Sequence, residues 1–225
     1  MNQFTSVKNK IQETIIDKLF REEIVSFTDL SIPRVASNLL TYHLKRLEEQ
    51  AVVKKVTGGY TLGTHGLSYV DRVSAEKKLI QIQPKIITML LIQNSDGDVL
   101  LQKRNKQPYI NTWTLPYGKI HIDDTSVEAA GMRAAFEKLG IEGQQVTHSG
   151  DCYIRVRIDG KALSTTLAHI CRFNADDIST TDTIVWARPH KLQQYKLAPA
   201  VETIMTRGFF NDPFFFEQYD EEWVA

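Results

Sequence analysis

The stretch AEKKLIQIQPK (Ala75–Lys85) is polar and carries a proline, and the residues directly after it, Ile86–Ile92, form a continuous apolar run. The polar, proline-bearing segment interrupts regular structure, whereas the apolar run reads as a strand. The pair divides the chain into a unit that is complete before the boundary and a second unit that begins on this strand. At 225 residues the chain is also too long for a typical single small domain. The reading is an α+β two-domain protein, with residues 1–75 as the first domain, 76–84 as linker and 85–225 as the second domain.

In the first domain Ile11, Ile15, Ile16, Leu19 and Phe20 recur at helical spacing, which predicts an amphipathic helix. Phe27-Thr28-Asp29-Leu30 starts a short second helix that Pro33 restricts, and a third begins near Ser37 or Asn38, both good caps. Val35, Leu40, Leu44 and Leu47 mark its buried side. In VVKKVTGGYTL two β-prone runs flank Gly58-Gly59, the pattern of a hairpin, and a helix around Leu67–Val73 closes the unit. His43 is expected to pack or to bond locally.

The run SNLLTYHLKRLEEQAVVKKVTGGYTLGTHGL resembles the winged helix-turn-helix domains of bacterial and archaeal transcription regulators, over roughly residues 8–75. In that family the recognition helix enters the major groove and its exposed residues meet base edges. The resemblance implies double-stranded DNA as a partner, with Ser37, Asn38, Thr41, Tyr42, Lys45 and Arg46 on the helix and Lys54 and Lys55 on the hairpin against phosphates. Residues 34–55 hold five Lys/Arg against two Glu, but the first 72 residues hold ten basic and eight acidic side chains. Affinity follows the number of phosphates neutralised, so a homodimer with doubled contacts belongs to this expectation. The competing reading is a protein-interaction module.

In the second domain Asn94-Ser95-Asp96-Gly97 turns the chain and Val99–Gln102 returns beside the first strand. SVEAAGMRAAFEKLG predicts a helix ended by Gly140. Strands follow at Cys152–Ile158, Leu163–Phe173 and Ile184–Ala187, with a helix around Ala198–Met205. The segment TWTLPYGKIHIDDTSVEAAGMRAAFEKLGI resembles the Nudix signature, G-x5-E-x7-R-E-U-x-E-E-x-G-U with U a bulky apolar residue. The NSDGD hairpin leading to LLQKR, the W-x-L-P-x-G approach and Trp186 followed by LAPAVETI support the resemblance, which spans residues 84–210. It implies a Nudix α/β/α sandwich with a mixed sheet and a pocket for a nucleotide-linked small molecule.

Hydrolysis of a diphosphate needs Mg²⁺ to neutralise the phosphates and activate water, and Mg²⁺ prefers oxygen ligands. The signature supplies glutamates at i, i+3 and i+4, which share one helical face. Here the matching run is Arg133-Ala134-Ala135-Phe136-Glu137-Lys138, so Ala134 and Lys138 replace two of three glutamates and Glu137 survives. Gly118 to Arg133 is one residue longer than the signature, which puts the upstream acidic position on Asp124 or Thr125. Glu137 is therefore the weak catalytic candidate; Asp124, Glu128 and Glu137 are weak metal candidates, with Asp123 as a further acid nearby. Mg²⁺ enters only if the domain is hydrolytic. Arg104, Tyr117, Gly118, Glu137 and Lys138 are the candidate ligand-binding residues, and Trp113 belongs either to the pocket or to the core. Arg133 is expected to salt-bridge the loop before the helix. Either the Lys138 ammonium substitutes for the metal, or Glu137 and Lys138 are remnants on a helix surface.

Formal net charge is zero, so global charge selects no partner. Cys152 and Cys171 lie outside any CxxC or Cys/His cluster and read as small buried hydrophobes. The sequence shows no signal-peptide core and no membrane-length apolar run, the reading being a cytoplasmic protein. The last fifteen residues, NDPFFFEQYDEEWVA, hold five aromatic and five acidic side chains, and either pack back onto the domain or form a dimer interface. Three functions follow: a transcriptional regulator whose degenerate Nudix domain senses a metabolite, an active Nudix hydrolase carrying an accessory winged helix, and a protein-binding adaptor.

Overall fold

The computed structural model of the chain describes residues 9–71, 83–209 and 214–223. Contacts divide it into two compact units, Met1–Ile82 and Gln83–Ala225. Most of the expected linker, and the end of the helix expected over Leu67–Val73, lie outside the described residues.

In the first unit, α1 (Lys10–Arg21) is capped by Asn9, whose Oδ1 accepts from the Ile11 N–H, and it buries Ile15, Ile16 and Leu19. The helix expected from Phe27 to Leu30 is only a hydrogen-bonded turn, in which the Leu30 N–H donates to the Ser26 carbonyl and the Ser26 hydroxyl bonds Asp29. Helix α2 (Ser37–Glu49) is entered from extended Ala36, which offers no side-chain cap, so Ser37 and Asn38 lie inside the helix rather than at its cap. Leu40, Leu44 and Leu47 are buried with Ile15, Leu19 and Leu30 in one apolar cluster. His43 is buried and meets the Tyr42 ring edge-on at 5.3 Å. Strands β1 (Val53–Val56) and β2 (Gly59–Leu62) form an antiparallel hairpin. Its turn passes through Gly58 at φ +90°, a conformation that glycine adopts without a Cβ clash. Helix α3 (Thr64–Val70) follows.

The second unit is built around β3 (Lys85–Gln93). Its residues alternate between two separate cores. Ile87, Met89 and Leu91 enter a cluster with Val201, Ile204 and Met205, while Leu90 and Ile92 enter another with Ala134 and Ala135. That two-sided burial is why the strand reads as continuously apolar. Strand β3 pairs antiparallel with β4 (Val99–Lys103) and β6 (Tyr117–Lys119), and parallel with β8 (Lys161–Asn174). Strand β4 also carries β5 (Trp113–Thr114) and β9 (Ile184–Ala187). Beyond β8 come β7 (Thr147–Ile158) and β10 (Phe215–Glu222), giving an eight-stranded mixed sheet among the described residues. Helix α4 (Val127–Leu139) covers one face and α5 (Val201–Phe209) the other.

The described part of the aromatic and acidic C-terminal segment packs back onto its own sheet. Strand β10 runs parallel to β7 and buries Phe215. Arg157 Nε donates to Asp220 at 2.6 Å, Arg155 pairs with the same carboxylate at 3.6 Å, and Arg207 pairs with Glu217 at 2.5 Å. The acidic positions thus anchor a strand that few sequence rules would favour.

Packing between β6 and α4 is tight at Gly118, where an added Cβ would stand 2.7 Å from the Ala134 Cβ. Gly118→Ala is expected to destabilise the second unit by about 1–3 kcal/mol through overpacking. Urea unfolding measures it, and a variant unchanged in midpoint contradicts the packing described.

Candidate functional site

Helix α4 and the loop before it form one side of the site. Ser126 Oγ caps the helix by accepting from the Ala129 N–H at 3.1 Å, and Gly140 ends it in the left-handed region at φ +69°. Arg133 projects from the middle of the helix. Its Nε donates to Asp124 Oδ1 at 2.8 Å and its Nη2 to Asp124 Oδ2 at 2.7 Å, a bidentate pair. The same Nη2 donates to the Lys119 carbonyl at 2.8 Å, and Nη1 donates to Glu137 Oε1 at 3.0 Å. The His121 N–H adds a further bond to Asp124 Oδ2 at 2.7 Å. Of the two positions open for the upstream acid, Asp124 is the one that meets Arg133; Thr125 is exposed.

The three metal candidates are not brought together. Asp124 and Glu137 both spend their charge on Arg133. Glu128 stands nine residues before Glu137, which at about 100° per residue places it on the opposite side of the helix. Its carboxyl is held below its ordinary range by its own backbone N–H first, then by Ser126, with a contribution from His148. Ala134 is fully buried against Gly118, and among the described residues the buried Thr88 hydroxyl beside them has no hydrogen-bond partner. Lys138 places a cation next to Glu137. A hard, octahedral Mg²⁺ does not fit this donor set: both acids already bond the one Arg133 guanidinium, and among the described residues no group of three ligating side chains gathers around them.

A cavity of about 430 Å³ opens at the last turn of α4. Lys85, Arg104, Lys106, Lys119 and Lys138 line it, together with His121, against a single carboxylate, Glu137. Among the described residues none of the four lysines has an ion-pair partner. Tyr109, Tyr117, Ser164 and Thr166 add aromatic and hydroxyl surface. Arg104, Tyr117, Gly118, Glu137 and Lys138, all expected from the sequence, share this one cavity. Arg104 is also a strut: Nε and Nη2 donate to the Pro108 carbonyl at 3.1 and 2.8 Å, and Nη1 donates to the Tyr117 hydroxyl at 2.7 Å. Its guanidinium lies 5.7 Å from the Tyr109 ring centroid and 5.4 Å from that of Tyr117. Trp113 does not line the cavity; it packs edge-on against Tyr195 at 5.5 Å. Lys85, Lys106 and Lys119 were missed, although Lys119 follows Gly118 directly and that adjacency was a usable signal.

In the first unit Ser37, Asn38, Thr41, Tyr42, Lys45, Arg46, Lys54 and Lys55 are all exposed. The Thr41 hydroxyl donates to the Ser37 carbonyl at 2.8 Å, and Arg46 forms an exposed pair with Glu49 at 3.6 Å. Cys152 and Cys171 are unpaired and buried, and burial pushes their thiols up to about 11 and about 12. No helix among the described residues is long and apolar enough to cross a membrane.

The NUDIX domain model matches residues 83–207, more than half of the chain, and the protein therefore belongs to the Nudix family. No curated protein matches it. Among solved structures, the MutT mutator protein from Bacillus halodurans is 16% identical with a TM-score of 0.50, over 61% of this chain and 90% of that one. The Nudix domain of Shewanella oneidensis NrtR, solved with ADP-ribose, is 16% identical with a TM-score of 0.48, over 63% of this chain and 95% of that one. Full NrtR, solved with a 27mer DNA, is 18% identical with a TM-score of 0.44, over 54% and 59% of the two chains.

The Arg133 hydrogen bond holds the Asp124 carboxyl down at about 2, against an ordinary 3.8. A depressed folded-state value stabilises the fold fully above the ordinary value, and the stabilisation is lost as pH falls from about 4 towards 2. Acid unfolding of the native chain is expected to contain this limb and Asp124→Asn to lack it. Identical pH profiles contradict the assignment.

Proposed function

We propose that this protein is a DNA-binding transcriptional regulator whose Nudix domain binds a nucleotide-linked, phosphorylated metabolite without hydrolysing it. The observation that carries the proposal is the cavity itself, with five Lys/Arg side chains and one carboxylate that Arg133 already engages. A diphosphate entering such a cavity meets fixed cations where a hydrolase would need acids to hold Mg²⁺. Opposite charges about 4 Å apart attract by roughly 1–4 kcal/mol between fully aqueous and near-surface conditions, enough for micromolar recognition when several act together. Tyr109 and Tyr117 offer aromatic surface for the remainder of the ligand.

The first unit fits a DNA reader of winged helix-turn-helix type. Helix α2 buries Leu40, Leu44 and Leu47 while leaving Ser37, Asn38, Thr41, Tyr42, Lys45 and Arg46 exposed, and Lys54 and Lys55 stand exposed on the hairpin. Asn, Thr and Arg are side chains that read base edges, and lysines on a wing meet phosphates. The modest excess of basic residues in this unit favours a homodimer on a two-fold operator. The metabolite acts by favouring one of the states open to the dimer, to an extent set by its differential affinity.

Two measurements test the reading. With Mg²⁺ or Mn²⁺ and a panel of ADP-ribose, sugar nucleotides and nucleoside triphosphates, no turnover is expected; rapid hydrolysis abolished by Glu137→Gln overturns the proposal. In gel-shift titrations, sequence-preferring and salt-sensitive DNA binding is expected, with Lys54→Ala and Lys55→Ala each lowering the salt slope by about 1. Binding that is absent at low salt, or unaffected by these substitutions, removes the DNA-reading role.

A further inference from the structure

A second cluster of chemistry-bearing side chains lies at the other end of α4. His148 and Asp151 stand on β7, and His169 on β8 is the direct cross-strand partner of Asp151. In a regular strand residues three apart point to opposite faces. Here the register shifts between His148 and Gly150, so Ser149 is an extra residue and His148 turns onto the face that carries Asp151. His148 Nε2 lies 2.7 Å from Asp151 Oδ1, and His169 Nδ1 lies 2.6 Å from the same oxygen. The two imidazoles meet edge to face at 5.2 Å, and the three ligand atoms all lie within 4.8 Å of one another. Side-chain exposures of 20%, 23% and 16% for His148, Asp151 and His169 leave the cluster sheltered but reachable.

We infer that His148, Asp151 and His169 form a site for a divalent transition-metal ion of the zinc class, separate from the cationic cavity. Two imidazole nitrogens and one carboxylate oxygen make a borderline donor set that suits Zn²⁺ and its first-row neighbours, whereas Mg²⁺ takes oxygen ligands. Zinc bonds of about 2.0–2.2 Å place tetrahedral ligands about 3–3.5 Å apart, so each nitrogen need withdraw from the Asp151 oxygen by less than about 1 Å. Both strands are fixed by the sheet and the bulge presets the third ligand, which limits the ordering that binding requires. Glu128, in the first turn of α4, adds negative charge close to His148, and the Phe214 ring covers His148 from one side at 5.2 Å. The cavity residue Glu137 lies nine positions further along α4, about 13 Å along its axis. The ion therefore clamps β7 to β8 and does not touch the cationic cavity.

The full chain, freed of metal with a chelator and dialysed, provides the test. Titration with Zn²⁺ alone is expected to give one equivalent bound per chain and a rise in melting temperature, with no comparable response to Mg²⁺. Co²⁺ is expected to give the d–d absorption of a low-symmetry nitrogen and oxygen site. His148→Ala and His169→Ala should each weaken Zn²⁺ binding by roughly tenfold or more, as loss of one ligand in three requires. His148→Gln retains a side-chain N–H for Asp151, so it keeps the metal-free fold by circular dichroism while losing the Co²⁺ spectrum. His190→Ala, on an exposed surface position, should bind as the native chain does. Absence of stoichiometric Zn²⁺ binding, an equal response to Mg²⁺, or a Co²⁺ spectrum unchanged in His148→Gln overturns the site and leaves a hydrogen-bonded trio only.

Discussion

The fork of Arg133 on Asp124 is the interaction on which the second unit's chemistry depends. A guanidinium presents its donors in a rigid plane, and a carboxylate accepts two of them in parallel. Here the pair ties the middle of α4 to the loop from β6, and the remaining Arg133 donors fix the Lys119 carbonyl and Glu137. Arg133 thus holds the Asp124 loop, the Lys119 carbonyl and the Glu137 carboxylate to the middle of one helix. Glu137 is engaged by Arg133, and the other charged side chains lining the cavity are Arg104 and four lysines. That lining is the basis for proposing an anionic ligand.

Much of the architecture was legible in the sequence because it rested on local rules. The Ile86–Ile92 run, the Asn94–Gly97 turn, Gly140 after its helix and the Gly58-Gly59 hairpin each follow from backbone preferences within a few residues. The losses at Ala134 and Lys138 were equally visible, since the signature fixes which positions carry carboxylates. The C-terminal strand was not. Its acidic positions argue against a strand until Arg155 and Arg157 on β7 and Arg207 on α5 are placed beside them, and only the tertiary fold does so. Three of the cavity lysines escaped for the same reason: Lys85, Lys106 and Lys119 lie on different segments and meet Lys138 only once the second unit packs.

The helix start at Ala36 teaches a smaller lesson. Ser37 and Asn38 are good caps in isolation, yet the extended backbone of Ala36 and its carbonyl, which accepts from the Leu39 and Leu40 N–H groups, begin the helix one residue earlier. That shift leaves Ser37 and Asn38 exposed in the first turn of the helix. Cap propensity locates a helix start to within a residue or two, whereas tertiary packing decides it.

The central claim is that fixed cations, not a metal ion, hold the phosphates. Calorimetric titration of the full chain with ADP-ribose, first in chelator and then in excess Mg²⁺, tests it most directly. The account predicts binding of similar affinity in both, weakened roughly tenfold or more by Lys138→Glu. Binding that requires Mg²⁺, or that strengthens when Lys138 becomes an acid, contradicts it.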